Sequence, residues 1–228
     1  MKRGKKYKKI IKDLDRSETY SLEDGIKEVK SLSYSKFTGT LELHADIVVG
    51  KDKDPKSIKG GVSLPHSVGG KGVKIAVFTT PDKDEEAKKA GADIVGLEKL
   101  MKDIKAGKIE FDVAIATPSV MAQIAVLGKE LGPKGLMPNP KVGTVTEDVA
   151  TVVEEYKKGK QTFACDPSGV IHMKVGKLGM ETEELIENVH EAVKSIEAAV
   201  GRNYEQAINK LHLAPTMGRS VKVSYTRE

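Results

Sequence analysis

The chain has no tryptophan, one cysteine and only four phenylalanines in 228 residues, and each scarcity closes a route. A lone thiol, Cys165, forms no internal disulfide and supplies no zinc-ligand cluster, which suits a reducing cytoplasm. A single-strand binder stacks successive bases on its own aromatic rings, and so few rings argue against one. Structured RNA, or no nucleic acid at all, remains open. No apolar run approaches the roughly 18 residues of a membrane helix, so neither a spanning segment nor a membrane partner is expected. The opening Met-Lys-Arg-Gly-Lys-Lys has no apolar stretch behind it and is not read as a secretory signal. What is present, 39% hydrophobic and 31% charged residues, is the balance of a globular chain with room for one large domain or two small ones.

Acidic residues are also missing from one place. Lys2, Arg3, Lys5, Lys6, Lys8, Lys9 and Lys12 put +7 into residues 1–12, so a net charge of +5 leaves the other 216 residues at −2. Two readings stand: an arm that seeks phosphates and releases their counterions, or a solvated helix start. Beyond it, recognition has to come from shape and particular contacts, because no general positive field exists.

Tyr7, Ile10, Ile11 and Leu14 recur at helical spacing. Ser21 is placed to cap a helix over 22–32 with Ile26 and Val29 on one face. Leu41, Leu43, Ala45, Ile47 and Val49 then alternate with Thr40, Glu42, His44 and Asp46, the period of a strand with one wet face. In the middle the grammar changes. Short apolar strands at 73–79, 94–95 and 113–116 alternate with helices over 82–90, 97–105 and from Thr117-Pro118 onward, the pattern of a parallel sheet. Thr146 is expected to cap a helix that Gly159 stops. Strands at 161–165 and 170–175 flank Asp166-Pro167-Ser168-Gly169 as a hairpin. A long amphipathic helix over 181–200 and a strand near 220–225 close the chain.

The expected architecture is therefore an α+β terminal domain, an antiparallel sheet with helices, interrupted by an inserted Rossmann-like α/β domain. Residues 1–66 plus 160–228 would form the first and 67–159 the second, with crossings near 65–72 and 158–160 that suggest a hinge.

Most candidate chemistry fails on context. Gly69-Gly70-Lys71-Gly72 precedes a strand, whereas a dinucleotide fingerprint follows one. Gly132-Pro133-Lys134-Gly135 lacks the Gly-Lys-Ser/Thr ending of a P-loop. His44, His66, His172, His190 and His212 are scattered and make no metal pair. Cys165 and His172 could face each other as nucleophile and base, but no orienting group or oxyanion loop accompanies them. No catalytic residue, metal or cofactor is expected.

Three segments outrun turn chemistry. Lys36, Thr38, Thr40 and Glu42 share the wet parity, offering a cation, two hydroxyls and a carboxylate. Phe37 has core parity, unless a bulge at Gly39 re-aims it outward. The hairpin Asp166–Gly169 has His172 and Lys177 beyond it, and Ala214-Pro215-Thr216-Met217-Gly218-Arg219 forms a tight loop before the last strand. Hydroxyls, backbone N–H groups and carboxylates read ribose 2′-OH groups as well as cations read phosphates. The three segments are expected to meet on one side.

The string Leu131-Gly132-Pro133-Lys134-Gly135-Leu136-Met137-Pro138-Asn139-Pro140-Lys141-Val142-Gly143-Thr144-Val145 resembles one family, the first protein of the large ribosomal subunit, here the L-one family in its bacterial or organellar form. Gly61–His66, Ala90–Asp93, Ala116–Pro118, Gly169–His172 and Thr216–Gly218 extend the resemblance over essentially the whole chain. It implies a non-enzymatic protein of the cytoplasmic large subunit that binds ribosomal RNA in the mobile stalk near the exit-side transfer RNA. It also implies translational repression by binding its own messenger, and a monomer when free. Carried over by motif, the RNA contacts are Lys36, Phe37, Thr40, Glu42, Asp166, Ser168, His172, Thr216, Met217 and Gly218. Arg3, Lys5, Lys6, Gly132, Lys134, Lys141 and Arg219 are secondary RNA or interdomain positions. The stretch 201–215 and Arg219 depart from the family pattern. The competing reading is a Rossmann-type nucleotide-dependent enzyme, which accounts only for the middle of the chain.

Overall fold

A computed structural model describes residues 4, 7, 18–50, 54–68, 73–80 and 83–225. The helix expected over 7–14 falls outside them apart from Tyr7, as do Arg3, Lys5 and Lys6. The first half runs β1 (Thr19–Tyr20), α1 (Leu22–Leu32), β2 (Thr40–Ile47), β3 (Lys59–Val62), β4 (Ile75–Phe78), α2 (Asp84–Lys89), β5 (Ile94–Val95), α3 (Glu98–Lys105) and β6 (Val113–Ala116). After short helical turns over 118–131 come α4 (Val149–Lys158), β7 (Gln161–Ala164), β8 (Val170–Lys177), α5 (Thr182–Val200), β9 (Ile208–Pro215) and β10 (Val221–Val223). Tertiary contacts divide the chain into two units, Met1–Gly69 with Thr162–Glu228, and Gly70–Gln161.

Local chemistry sets the helix ends. The Ser21 hydroxyl accepts the Asp24 N–H at 3.1 Å and starts α1. Glu181 and Glu184 form a reciprocal capping box on α5, and Gly201, at φ 73°, ends it in the left-handed conformation that glycine adopts without strain. The start of α4 differs from expectation. Asp148 is its cap, accepting the Thr151 N–H, while the Thr146 hydroxyl accepts the N–H of Asp148 itself. A carboxylate at that position also complements the helix dipole.

In the discontinuous unit a five-stranded sheet has the order β1-β10-β9-β2-β8. It is antiparallel except at one edge, where the two-residue β1 joins β10 in parallel. Leu41, Leu43 and Ala45 of β2, Ile171 and Val175 of β8, and Leu211 and Leu213 of β9 point to one face. There they pack with Ile26 and Val29 of α1 and Leu185, Val189 and Ile196 of α5. Each of these buried valine, leucine and isoleucine side chains contributes about 1.5–3 kcal/mol. Asn188, fully buried on α5, fastens this layer. Its amide donates to the Val175 and His66 carbonyls at 2.7 and 3.0 Å, and its oxygen accepts the His66 N–H.

Three strands were not anticipated: β1, β3 and β9. β3 pairs with β7, and a Cβ at Gly60 would stand 2.5 Å from the Phe163 ring, so only glycine lets that ring lie against the strand. β9 spans most of the stretch that departs from the family pattern. The strands flanking Asp166–Gly169 also pair otherwise than expected: β8 runs beside β2, and only Cys165 and Ile171 bridge across the turn.

In the second unit β5-β4-β6 is a parallel sheet. Ile75 and Val77 face Val149, Val153 and Tyr156, whereas Ala76 and Phe78 face Leu100, Ile104 and Leu127. Helical segments thus cover both faces, and β4 is buried along its whole length.

Candidate nucleic-acid interface

Thr40 and Thr216 hold one end of the open sheet face together. The Thr216 hydroxyl accepts the Thr40 N–H at 2.9 Å and donates to the Thr40 carbonyl at 3.2 Å, and the Thr216 N–H bonds the same carbonyl at 3.0 Å. A Cβ at Gly218 would come within 2.8 Å of the Leu32 carbonyl at the end of α1 and 2.4 Å of Pro215. The loop can therefore sit where it does only with glycine there. Beside it Phe37 is 60% exposed and Met217 40% exposed, two apolar surfaces held out by the backbone. Phe37 is not turned by a bulge at Gly39: β2 begins at Thr40, so Lys36, Phe37 and Thr38 belong to a loop, where strand parity has no force. The irregularities in β2 fall between Leu41 and Glu42, against β8, and between Asp46 and Ile47, against β9.

Along the sheet, Glu42, His44 and Asp46 alternate with the core residues of β2 and line the face opposite the helices. Glu42 lies between Lys174 of β8 and Ala214 of β9, and Asp46 between Val170 and Lys210. His44 lies between His172 and His212, with Lys222 of β10 beyond His212. Three histidines that look scattered in the sequence thus form one row across three strands. His44 Nδ1 and His172 Nδ1 are 2.7 Å apart, so one ring donates and the other accepts. Burial pushes the His44 imidazole below its ordinary value, with the neighbouring His172 acting the same way. Burial also lowers His212, assisted by Lys210 and Lys222.

The hairpin Asp166–Gly169 lies at the other end of β2. The Gly169 carbonyl accepts the Ile47 N–H, whereas Thr216 meets Thr40. Seven residue steps of strand, about 23 Å, separate the two ends. The expectation that all three loops converge is corrected: two meet, and the third is joined to them by the open face. Asp166 Oδ1 accepts the N–H groups of Ser168 and Val170, fixing the turn and leaving Ser168 exposed. Its other oxygen, Oδ2, stands 3.6 Å from His172 Nε2. Chiefly the Val170 N–H, with the Ser168 N–H and His172 assisting, holds the Asp166 carboxyl below the usual range, against a desolvation effect second only to that of Val170.

The remaining candidates are distributed more loosely. Arg219 is half-buried beside Gly218, whereas Gly132, Lys134 and Lys141 are exposed in the second unit. The loop carrying the last three is organised by its own bonds. The Asn139 side chain caps the turn Pro140–Val142, the Thr144 hydroxyl accepts the Asn139 N–H, and Gly143 takes a positive φ. Cys165 is buried with its thiol pushed up by desolvation, while His172 is exposed on β8. The nucleophile–base pairing is thereby excluded, since a neutral buried thiol does not attack.

Sequence reasoning passed over Lys174, Lys210, His212 and Lys222. The first was legible from the parity of His172. The others needed β9, whose Leu211/Leu213 alternation was its only signal. Together fold and site define a class: an α/β binding protein whose sheet has one side covered by helices and offers cations, imidazoles and hydroxyls on the other.

Comparison with known proteins makes the class particular. Residues 29–219 match the model of the ribosomal protein L1p/L10e family. A large ribosomal subunit protein uL1 from Kosmotoga olearia is 42% identical over 99% of this chain and 98% of its own length. Those of Thermosipho africanus and Thermosipho melanesiensis are 44% and 43% identical over 97% and 98% of this chain and 96% and 97% of their own lengths. The chain belongs to the ribosomal protein L1p/L10e family, whose members are structural and not enzymatic. The nucleotide-dependent enzyme reading falls with that membership.

Proposed function

We propose that this protein of the cytoplasmic large ribosomal subunit binds a folded helix-and-loop element of ribosomal RNA through the open sheet face and its two end loops. Lys36, Phe37, Thr40, Glu42, Thr216, Met217 and Gly218 make the contacts at one end, and Asp166, Ser168 and His172 those at the other. On this reading 1–66 plus 160–228 is the RNA-binding domain, and 67–159 is an inserted Rossmann-like domain. Gly132, Lys134 and Lys141 of the insert, with Arg3, Lys5, Lys6 and Arg219, make secondary contacts. The protein is a monomer when free. In the ribosome it forms the mobile stalk near the exit-side transfer RNA, and off the ribosome it represses its own messenger.

The observation that carries this reading is the Thr40–Thr216 junction, which holds Phe37 and Met217 exposed beside a polar face. A flat ring and a thioether fixed next to hydroxyls and a carboxylate suit a ribose-lined RNA groove, where shape and 2′-OH groups matter as much as charge. Filter binding of deproteinised large-subunit ribosomal RNA tests it. Phe37→Ala and Met217→Ala should each weaken binding by roughly 1–3 kcal/mol with little change in salt dependence. Wild-type affinity in both variants would refute the assignment.

A further inference from the structure

We infer that the row His172–His44–His212, flanked by Lys174, Lys210 and Lys222, is a phosphate-binding strip that takes up protons when RNA occupies it. The inference rests on the open face being the RNA surface and adds what the middle of that face does.

The groups that decide its charge come from four strands. From β2, Glu42 Oε2 stands 3.9 Å from His44 Nε2, and Asp46 is two residues further on. From β8 come His172 and Lys174, with Asp166 Oδ2 at 3.6 Å from His172 Nε2. From β9 come His212 and Lys210, and from β10 Lys222, directly opposite His212. Among the described residues no helix covers this face, and the His172 side chain is 54% exposed. In the free protein, partial burial and like charges hold His44 and His212 toward the neutral form. The two nearby carboxylates pull the other way.

The histidine pair can accept charge without breaking. With both rings neutral, one Nδ1–H donates to the other Nδ1. A first extra proton can go to the outer nitrogen of the donating ring, which faces a carboxylate, and the Nδ1–H···Nδ1 bond survives. An incoming phosphate supplies the anion that makes this proton favourable near neutral pH. Binding raises the imidazole pKa values, so protons enter with the RNA and affinity rises as pH falls. The lysines bind at every pH, and the histidines add a share that grows as pH falls from neutral. Asp46, Glu42 and Asp166 prevent the strip from becoming a general polyanion trap.

The test uses the full-length protein and deproteinised large-subunit ribosomal RNA at fixed ionic strength. From pH 7.5 to 6.0 wild-type affinity should rise roughly tenfold, below the roughly thirtyfold ceiling for uptake of one proton over that interval. Calorimetry in buffers of different ionisation enthalpy should read net proton uptake. The variant carrying His44→Gln, His172→Gln and His212→Gln keeps polar side chains but should respond to pH less than about twofold, and His212→Gln alone should give an intermediate slope. His190→Gln, on α5 and hydrogen-bonded to Tyr225, should keep the wild-type slope. A wild-type slope in the triple variant, or a flat wild-type protein, overturns the inference. Lys174→Ala with Lys222→Ala separates the levels. If this pair weakens binding at every pH while the triple histidine variant keeps its slope, only the proton-linked strip fails. If the lysine pair changes nothing at any pH or salt, the open face is not the RNA surface.

Discussion

The Thr216 hydroxyl is committed on both sides, accepting from the Thr40 N–H and donating to the Thr40 carbonyl. Its first role is to fix the loop that displays Met217, so the informative substitutions separate hydroxyl from shape. Thr216→Ser should bind RNA within about threefold of wild type, whereas the isosteric Thr216→Val should lose roughly 1–3 kcal/mol, because the Thr40 N–H loses its acceptor. Filter binding ranks the two, and equal affinities would remove the junction from the account. Gly218 is a sharper case. In Gly218→Ala the new methyl meets the Leu32 carbonyl at 2.8 Å, and backbone at the end of a packed helix cannot step aside as a flexible side chain can. Thermal unfolding should report a loss of about 1–3 kcal/mol, and RNA affinity should fall with it. At this scale the sequence was read unevenly. Ser21 announced its role because a hydroxyl before an amphipathic run has one obvious use. Phe37 was ambiguous because parity applies only inside a strand, and the strand starts three residues later.

Elements with a single period were legible, and those whose period is interrupted were not. β2 showed strict alternation over eight residues, α1 and α5 each carried an apolar stripe, and Ser21 marked the head of α1. β9 was hidden because Asn209 and Lys210 stand together near its start and Pro215 sits at its end. Yet Pro215 is tolerated there, at the terminus opposite Leu41, where the ladder needs nothing further from its nitrogen. With β9 unseen, His212 had no neighbours, and the row across the sheet could not be assembled. Two expectations belong to this scale. Asn188→Ala removes three bonds from a fully buried position and leaves the His66 N–H and the Val175 carbonyl short of partners. Urea unfolding should show a loss of about 2–4 kcal/mol. The hairpin is tied by the depressed Asp166 carboxyl. Because the folded value is the lower one, its contribution is complete above the ordinary carboxylate pKa of about 3.9 and is lost as pH falls through the folded value. Amide exchange at Ser168 and Val170 should accelerate in that acid range. In Asp166→Asn the acid-dependent step should be absent, and a step of unchanged size would rule out Asp166 as its source.

At the scale of the whole molecule, the charge is split in a way that predicts two separable kinds of RNA contact. Residues 1–12 carry +7 while the other 216 sum to −2, so the described fold has no net positive field with which to hold a polyanion. On its open sheet face, cations are placed singly: Lys174 beside Glu42, Lys210 beside Asp46, and Lys222 beside His212. The first two are paired with carboxylates that limit nonspecific attraction. Affinity that comes from released counterions should therefore reside largely in the terminal arm, and affinity that comes from fit should reside in the sheet face. Removing residues 2–12 should lower the slope of log K against log salt by about 0.7–0.9 for each phosphate that the arm neutralises, while discrimination between ribosomal RNA and an unrelated structured RNA is retained. Phe37→Ala should do the reverse, keeping the slope and eroding the discrimination. Salt titrations of both proteins against both RNAs decide the matter. If trimming the arm leaves the slope intact, the cations that count lie on the folded surface, and the division of labour drawn from the charge distribution is wrong.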